Sequence, residues 1–144
     1  MILPITLTIA AAATLLNIWI AQRVGQVRRG AKIAHGDAGN PALLARMRAH
    51  SNYAEYTPFF LILLALIEMA IGPQLWLWIV AILYIIGRIL HVFGMDAAKP
   101  GALRMIGIIV TMLVLAGLAG YAIYLGYSHS AGPQPRQDGT TIRV

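Results

Sequence analysis

The 144-residue chain is 59% apolar and only 11% charged, with a mean hydropathy of +0.73, which is more apolar surface than a soluble domain of this length can hide. Its net charge of +6 gathers in the connections between apolar runs, not on a basic face interleaved with aromatics, so membrane topology and an anionic ligand account for it and no nucleic acid is expected. Cysteine is absent, which removes disulfides, thiolate metal sites and a cysteine nucleophile, and no metal is expected.

A spanning helix needs about 20 consecutive, mostly apolar residues, so the chain has room for four spans and short connections. The first, at about residues 2–29, holds Ala10 to Ala13 and ends in a basic collar of Arg23, Arg28, Arg29 and Lys32. It lacks a positively charged leader and is longer than the apolar core of a signal peptide, so it reads as a retained helix. Gly36 to Pro41 then supplies breakers, an N-cap at Asn40 and a proline suited to a first helical position. Helix 2, at about 41–71, begins polar with Arg46, Arg48, His50, Asn52 and Glu55 and turns apolar from Pro58, with Glu68 interrupting its apolar half.

Gly72-Pro73 breaks the chain before helix 3, at about 74–95, where polarity returns with Gly87, Arg88 and His91. Lys99-Pro100-Gly101 breaks it again before helix 4, at about 102–127, whose Gly107, Gly117 and Gly120 would permit close helix approach. Residues 128–144, rich in Ser, Gly, Pro and Gln, read as a disordered tail. The expected fold is therefore an all-α membrane protein, a bundle of four transmembrane helices in contact with membrane lipids. Four spans put the first and third connections on one side. Their Arg23, Arg28, Arg29, Lys32, Arg46, Arg48, Lys99 and Arg104 make that side cytoplasmic by the positive-inside tendency, and Trp76, Trp78, Tyr124 and Tyr127 fall where an opposite aromatic belt would sit.

Arg48, Asn52 and Glu55 are spaced by four and three residues, so they share one helix face, with Tyr56 adjoining. Arg88 and His91 make a matching stripe on helix 3, extended one turn each way by Tyr84 and Met95. Arg104 stands in the first turn of helix 4 at the same level. Ionisable groups in membrane helices cost several kcal/mol unless they face protein, water or ligand, so this set implies a shared polar cavity. Planar guanidiniums suit carboxylates and Glu55 suits an ammonium group, so a zwitterionic, peptide-like ligand fits. The plainer reading is an ion pair from Glu55 to Arg48 or Arg88, with Arg104 reaching lipid phosphates. His35 reads as a solvated loop residue, and Asn17 and Glu68 as helix-contact or boundary residues.

The run Arg48-Ala49-His50-Ser51-Asn52-Tyr53-Ala54-Glu55-Tyr56 resembles the Arg-x-x-x-Asn-x-x-Glu signature of the MAPEG family, membrane-associated proteins of eicosanoid and glutathione metabolism. The resemblance continues through Gly25-Gln26-Val27-Arg28, Gly87-Arg88-Ile89-Leu90-His91 and Arg104. It implies a homotrimer of four-helix bundles that binds glutathione as co-substrate between neighbouring subunits near the cytoplasmic face. Carried over by position, Arg48, Asn52, Glu55, Tyr56, His91 and Arg104 would line the glutathione site, with Arg28 and His50 contributing across the interface; Arg88 joins them through its stripe. Glu55 would hold the amino group and the arginines the carboxylates. Arg104 would be the catalytic residue, since a nearby cation lowers a thiol's pKa and raises its nucleophilic fraction.

The implied activity is that of a glutathione transferase or peroxidase acting on lipophilic small molecules delivered from the bilayer. Met95 stands where several glutathione-using members have tyrosine, and Met105 follows Arg104 where prostaglandin E synthases have serine, which argues against eicosanoid synthesis. The short connections resemble the small bacterial branch, hence an inner (plasma) membrane protein with its site facing the cytoplasm. A non-catalytic lipid-binding scaffold of the same fold is the alternative. A small exporter would want an acidic residue within helix 1 to couple protons, where only Asn17 stands.

Overall fold

The structure, a computed structural model, describes residues 2–97 and 101–130. It comprises four helices, α1 (Pro4–Ala31), α2 (Pro41–Ile71), α3 (Leu75–Met95) and α4 (Ala102–Ser130), each long and apolar enough to cross a membrane. With about 20 residues required per span, the chain is an integral membrane protein. Lys99 and Pro100 of the third break lie outside the described residues, as do residues 131–144 of the expected 128–144 tail.

Local chemistry sets the boundaries. The Asn40 side chain accepts a hydrogen bond from the Leu43 amide at 3.0 Å, capping α2 behind Pro41. The α2–α3 turn uses Gly72 at φ 76°, a left-handed conformation that a side chain would resist. Helix α4 runs three residues beyond Tyr127. Ser128 and Ser130, assigned to the tail by composition, stay helical, with their hydroxyls donating to carbonyls of the preceding turn.

Helix α1 has no capping side chain of its own, because Leu3 precedes it. Glu68 on α2 does that work from a distance: its carboxylate accepts from the amides of Ile5 and Thr6 at 2.9 and 2.8 Å and from the Thr6 hydroxyl at 2.7 Å. This satisfies amides that a helix start leaves unpaired and places negative charge at the positive end of the helix dipole. The boundary reading of Glu68 thus becomes a specific one, an anchor between α1 and α2.

The helices alternate in direction. Glu68 ties the start of α1 to the end of α2, while Arg23 near the end of α1 meets Asp96 at the end of α3. One apolar core, including Ile5, Ile9, Phe60, Leu64, Ile67, Leu77, Ala81 and Leu118, fills the end opposite the basic residues. A smaller one, Ile20, Tyr53 and Val92, lies toward the basic end. The tightest approach joins α3 and α4: a methyl at Gly107 would lie 2.6 Å from the Gly87 carbonyl and 2.7 Å from His91, and one at Gly94 would overlap the Arg104 backbone. Gly117 and Gly120 do not share that role, because a methyl there would meet open space within the subunit.

The length mismatch between α2 and α3 positions the site. They leave a common short turn, but α2 has 31 residues and α3 has 21, so the first ten residues of α2 (31 − 21) rise past the end of α3. At 1.5 Å per residue the two are about 46 and 31 Å long, against a hydrocarbon layer of about 30 Å. Residues 48–55 of α2 therefore stand near the boundary between hydrocarbon and headgroups.

Candidate functional site

At this boundary a cleft of about 210 Å³ opens between α2, α3 and α4, lined by Arg48, Ser51, Asn52, Glu55, His91, Met95, Arg104 and Ile108. Five residues singled out in the sequence, Arg48, Asn52, Glu55, His91 and Arg104, thus meet around one space. Helical spacing aims Arg48, Asn52 and Glu55 along one face of α2. The Gly94 contact seats the Arg104 backbone, and Gly107 lets α4 press against His91.

The cleft is chemically asymmetric. Glu55 accepts a hydrogen bond from the Ser51 hydroxyl at 2.8 Å. The ion pairs among the described residues join Asp96 to Arg23 and Arg46, so the plainer alternative, an ion pair of Glu55 with Arg48 or Arg88, is not made among them. Its carboxylate stands open to the cleft alongside the guanidinium-bearing Arg48 and Arg104. His91 is 2% exposed, and its Nδ1 has no hydrogen-bond partner among the described residues. An unpaired buried polar atom at the edge of a polar cleft is one that a ligand or water would satisfy.

The structure separates the remaining site residues from the cleft. Arg88 is 1% exposed inside the bundle, donating to Asn52 Oδ1 at 2.8 Å and lying 3.5 Å from Thr111 Oγ1; its face of α3 turns inward, so it braces the site from beneath. Asn52 makes that bond through its carbonyl oxygen, and among the described residues its amide NH₂ donates to no other group. His50 points to the other side of α2, with Nε2 3.0 Å from Asn17 Oδ1, and Asn17 is thereby a helix-contact residue. Arg28 folds over the α1–α2 connection onto the carbonyls of Ala34 and Gly36. Tyr56 is half-buried and outside the cleft lining.

Two lining residues were not singled out in the sequence. Ser51 is four residues before Glu55, a spacing that announces their contact. Ile108, one turn beyond Arg104, carries no signal except periodicity. Ile108 and Arg104 also border an apolar groove with Met105 on the outer side of α4, so the polar cleft and an apolar surface share one wall.

Comparison with known proteins locates the whole bundle. The model of the MAPEG family matches residues 6–124. The chain is 31% identical over 86 residues to the inner membrane protein YecN of Escherichia coli strain K12, and equally to YecN of E. coli O6:H1. The match covers 59% of this chain and 65% of the relative, so the chain spans just under two thirds of the length of the curated proteins it resembles.

Proposed function

Because the chain belongs to the MAPEG family, we propose that it is a glutathione-binding protein of a bacterial inner membrane, acting as a glutathione transferase or peroxidase on lipophilic electrophiles. The observation that carries this reading is the convergence of Arg48, Asn52, Glu55, His91 and Arg104 on one cleft. Glutathione has two carboxylates, an ammonium group and peptide amides. Arg48 offers a carboxylate partner, Glu55 an ammonium partner, and the Asn52 amide donates to a carbonyl.

Arg104 is the residue placed to act on the thiol. A cation beside the sulfur favours the thiolate, which is the nucleophile. In the transferase reaction the thiolate forms a sulfur–carbon bond, the leaving group departs with its bonding electrons, and the thiol proton is released to water. The apolar groove that shares Arg104 and Ile108 with the cleft would bring a bilayer-dissolved electrophile to the sulfur. A pocket of about 210 Å³ is below the roughly 300 Å³ at which small-ligand sites begin, which supports a site completed by a neighbouring subunit in a homotrimer. The basic residues at that end favour a cytoplasmic orientation.

Met95 in the cleft wall favours a second reading, a lipid-binding scaffold of the same fold, because a thioether donates no hydrogen bond to a thiolate. Calorimetry with glutathione on the detergent-purified protein separates the two. Saturable binding, weakened at least tenfold in Glu55→Gln and in Arg48→Ala, is expected; no binding at millimolar glutathione would overturn the enzyme reading in favour of the scaffold. Where binding is present, Arg104→Ala should keep the protein folded and abolish conjugation of a model electrophile.

A further inference from the structure

Asp96, the residue that ends α3, is held by two arginines from two other helices. Arg23 of α1 forms an ion pair and hydrogen bond with Asp96 Oδ2, and the Arg46 Nε of α2 lies 3.8 Å from Oδ1. Arg46 also donates to the Arg23 carbonyl at 2.9 Å. The Arg23 guanidinium lies over two rings, 4.8 Å from the centre of Trp19 and 5.7 Å from that of Phe93, and its side chain is only 11% exposed. The family resemblance does not call on Asp96, and its ion pairs among the described residues go to Arg23 and Arg46, neither of which lines the cleft. A carboxylate bound by two guanidiniums, one of them lying over aromatic rings, is nevertheless a costly arrangement to assemble at a helix end, because three long side chains must be held in one geometry.

Its position gives it a use. Asp96 directly follows Met95 in the cleft wall and is two residues from Gly94, against whose Cα the Arg104 backbone packs so closely that no Cβ would fit. Pinning Asp96 to α1 and α2 therefore fixes the platform on which Arg104 is seated. It also keeps Asp96, the carboxylate closest in sequence to Arg104, engaged elsewhere; the ion pairs among the described residues leave Arg104 uncommitted. We propose that Arg23, Asp96 and Arg46 form a clasp that positions Arg104 and keeps its charge available to the cleft, with Arg23 and Asp96 as positioning residues. The clasp deepens the glutathione reading, in which that charge serves the thiol, but its test needs no glutathione.

The absence of cysteine in the chain makes that test possible. In a Met95→Cys background the introduced thiol shares the cleft with Arg48 and Glu55 of α2, His91 of α3 and Arg104 of α4, and its thiolate fraction reports the local charge. The measurement is the rate of alkylation by iodoacetamide across pH. The plateau at high pH reports access, and the ratio of the neutral-pH rate to the plateau reports thiolate, the reacting form. Adding Arg104→Gln should lower that ratio about tenfold, as loss of an adjacent cation does.

Adding Asp96→Asn should lower it similarly. The sign is decisive, because removing a nearby negative charge without moving Arg104 would raise the ratio. The paired exchange Arg23→Asp with Asp96→Arg should restore it, and Arg23→Gln, breaking the clasp from its other side, gives the same decrease should Asp96→Asn fold poorly. An unchanged or raised ratio in Asp96→Asn, an unchanged ratio in Arg104→Gln, or an exchange that fails to restore it would overturn the proposal. Calorimetry on the wild type judges the glutathione reading separately, so one can fail while the other stands.

Discussion

Arg88 shows how a single buried charge organises the cleft. It sits 1% exposed with Asn52 as its near hydrogen-bond partner, Thr111 at 3.5 Å and its Nε unpaired among the described residues, while the Tyr53 ring lies 5.5 Å from the guanidinium. Truncating Asn52 would remove the acceptor and leave a buried cation short of partners, a defect of about 2 kcal/mol. Asn52→Ala should therefore lower the melting temperature in detergent as well as weaken glutathione binding, whereas Asn52→Ala with Arg88→Met should recover most of the lost stability without recovering binding. A double variant as unstable as the single one would show that Asn52 stabilises by some route other than Arg88. The i, i+4, i+7 stripe of Arg48, Asn52 and Glu55 was legible because helix geometry alone fixes it. The depth of Arg88 was not legible, since its spacing from His91 marks a shared face of α3 but not how far that face turns into the bundle, and Thr111, its second neighbour, has no sequence signal.

Helix α1 depends on a residue 62 positions away in the chain. The amides of Ile5 and Thr6 at its start are capped by Glu68, a partner that the residues beside them do not supply. Glu68→Ala should cost about 2 to 3 kcal/mol, the range for losing buried hydrogen bonds to a charged group, and the first turn of α1 should become the fastest-exchanging part of the bundle by hydrogen–deuterium exchange. Equal protection of that turn in the variant and the wild type would remove the anchoring role. Local signals in the sequence, Asn40 with Pro41 and Gly72 with Pro73, marked where helices start and stop because caps and breakers act on their immediate neighbours. The pairing of Glu68 with the start of α1 is tertiary, and an isolated carboxylate in an apolar run reads the same whether it faces a helix end or an ion. Glycines carry a similar ambiguity: composition treats Gly107, Gly117 and Gly120 alike, yet only Gly107 lies where α3 passes close enough to need it.

At the scale of the molecule, the surface itself argues for further assembly. Only 17% of the most apolar stretch of α4 is buried within the subunit, and Leu113 and Ile123 are 68% and 74% exposed. Lipid covers such a surface at no hydrophobic cost, so apolarity alone does not demand a partner. The polar boundary residues make the stronger case. On one side of α2 stand Ser51 and Glu55, exposed beside the cleft, and on the other His50 reaches the exposed Asn17 of α1. Two different polar surfaces at one depth suit a head-to-tail contact, the kind that closes into a ring when the rotation permits; under the proposed glutathione reading, a cleft small for a tripeptide gives the second surface a site to complete. Native mass spectrometry from mild detergent should give three chains, and harsher detergent that yields monomer should abolish saturable glutathione binding in parallel. Monomer that still binds glutathione with undiminished affinity would show that one subunit holds the whole site, and would leave Arg28 and His50 without a role in it.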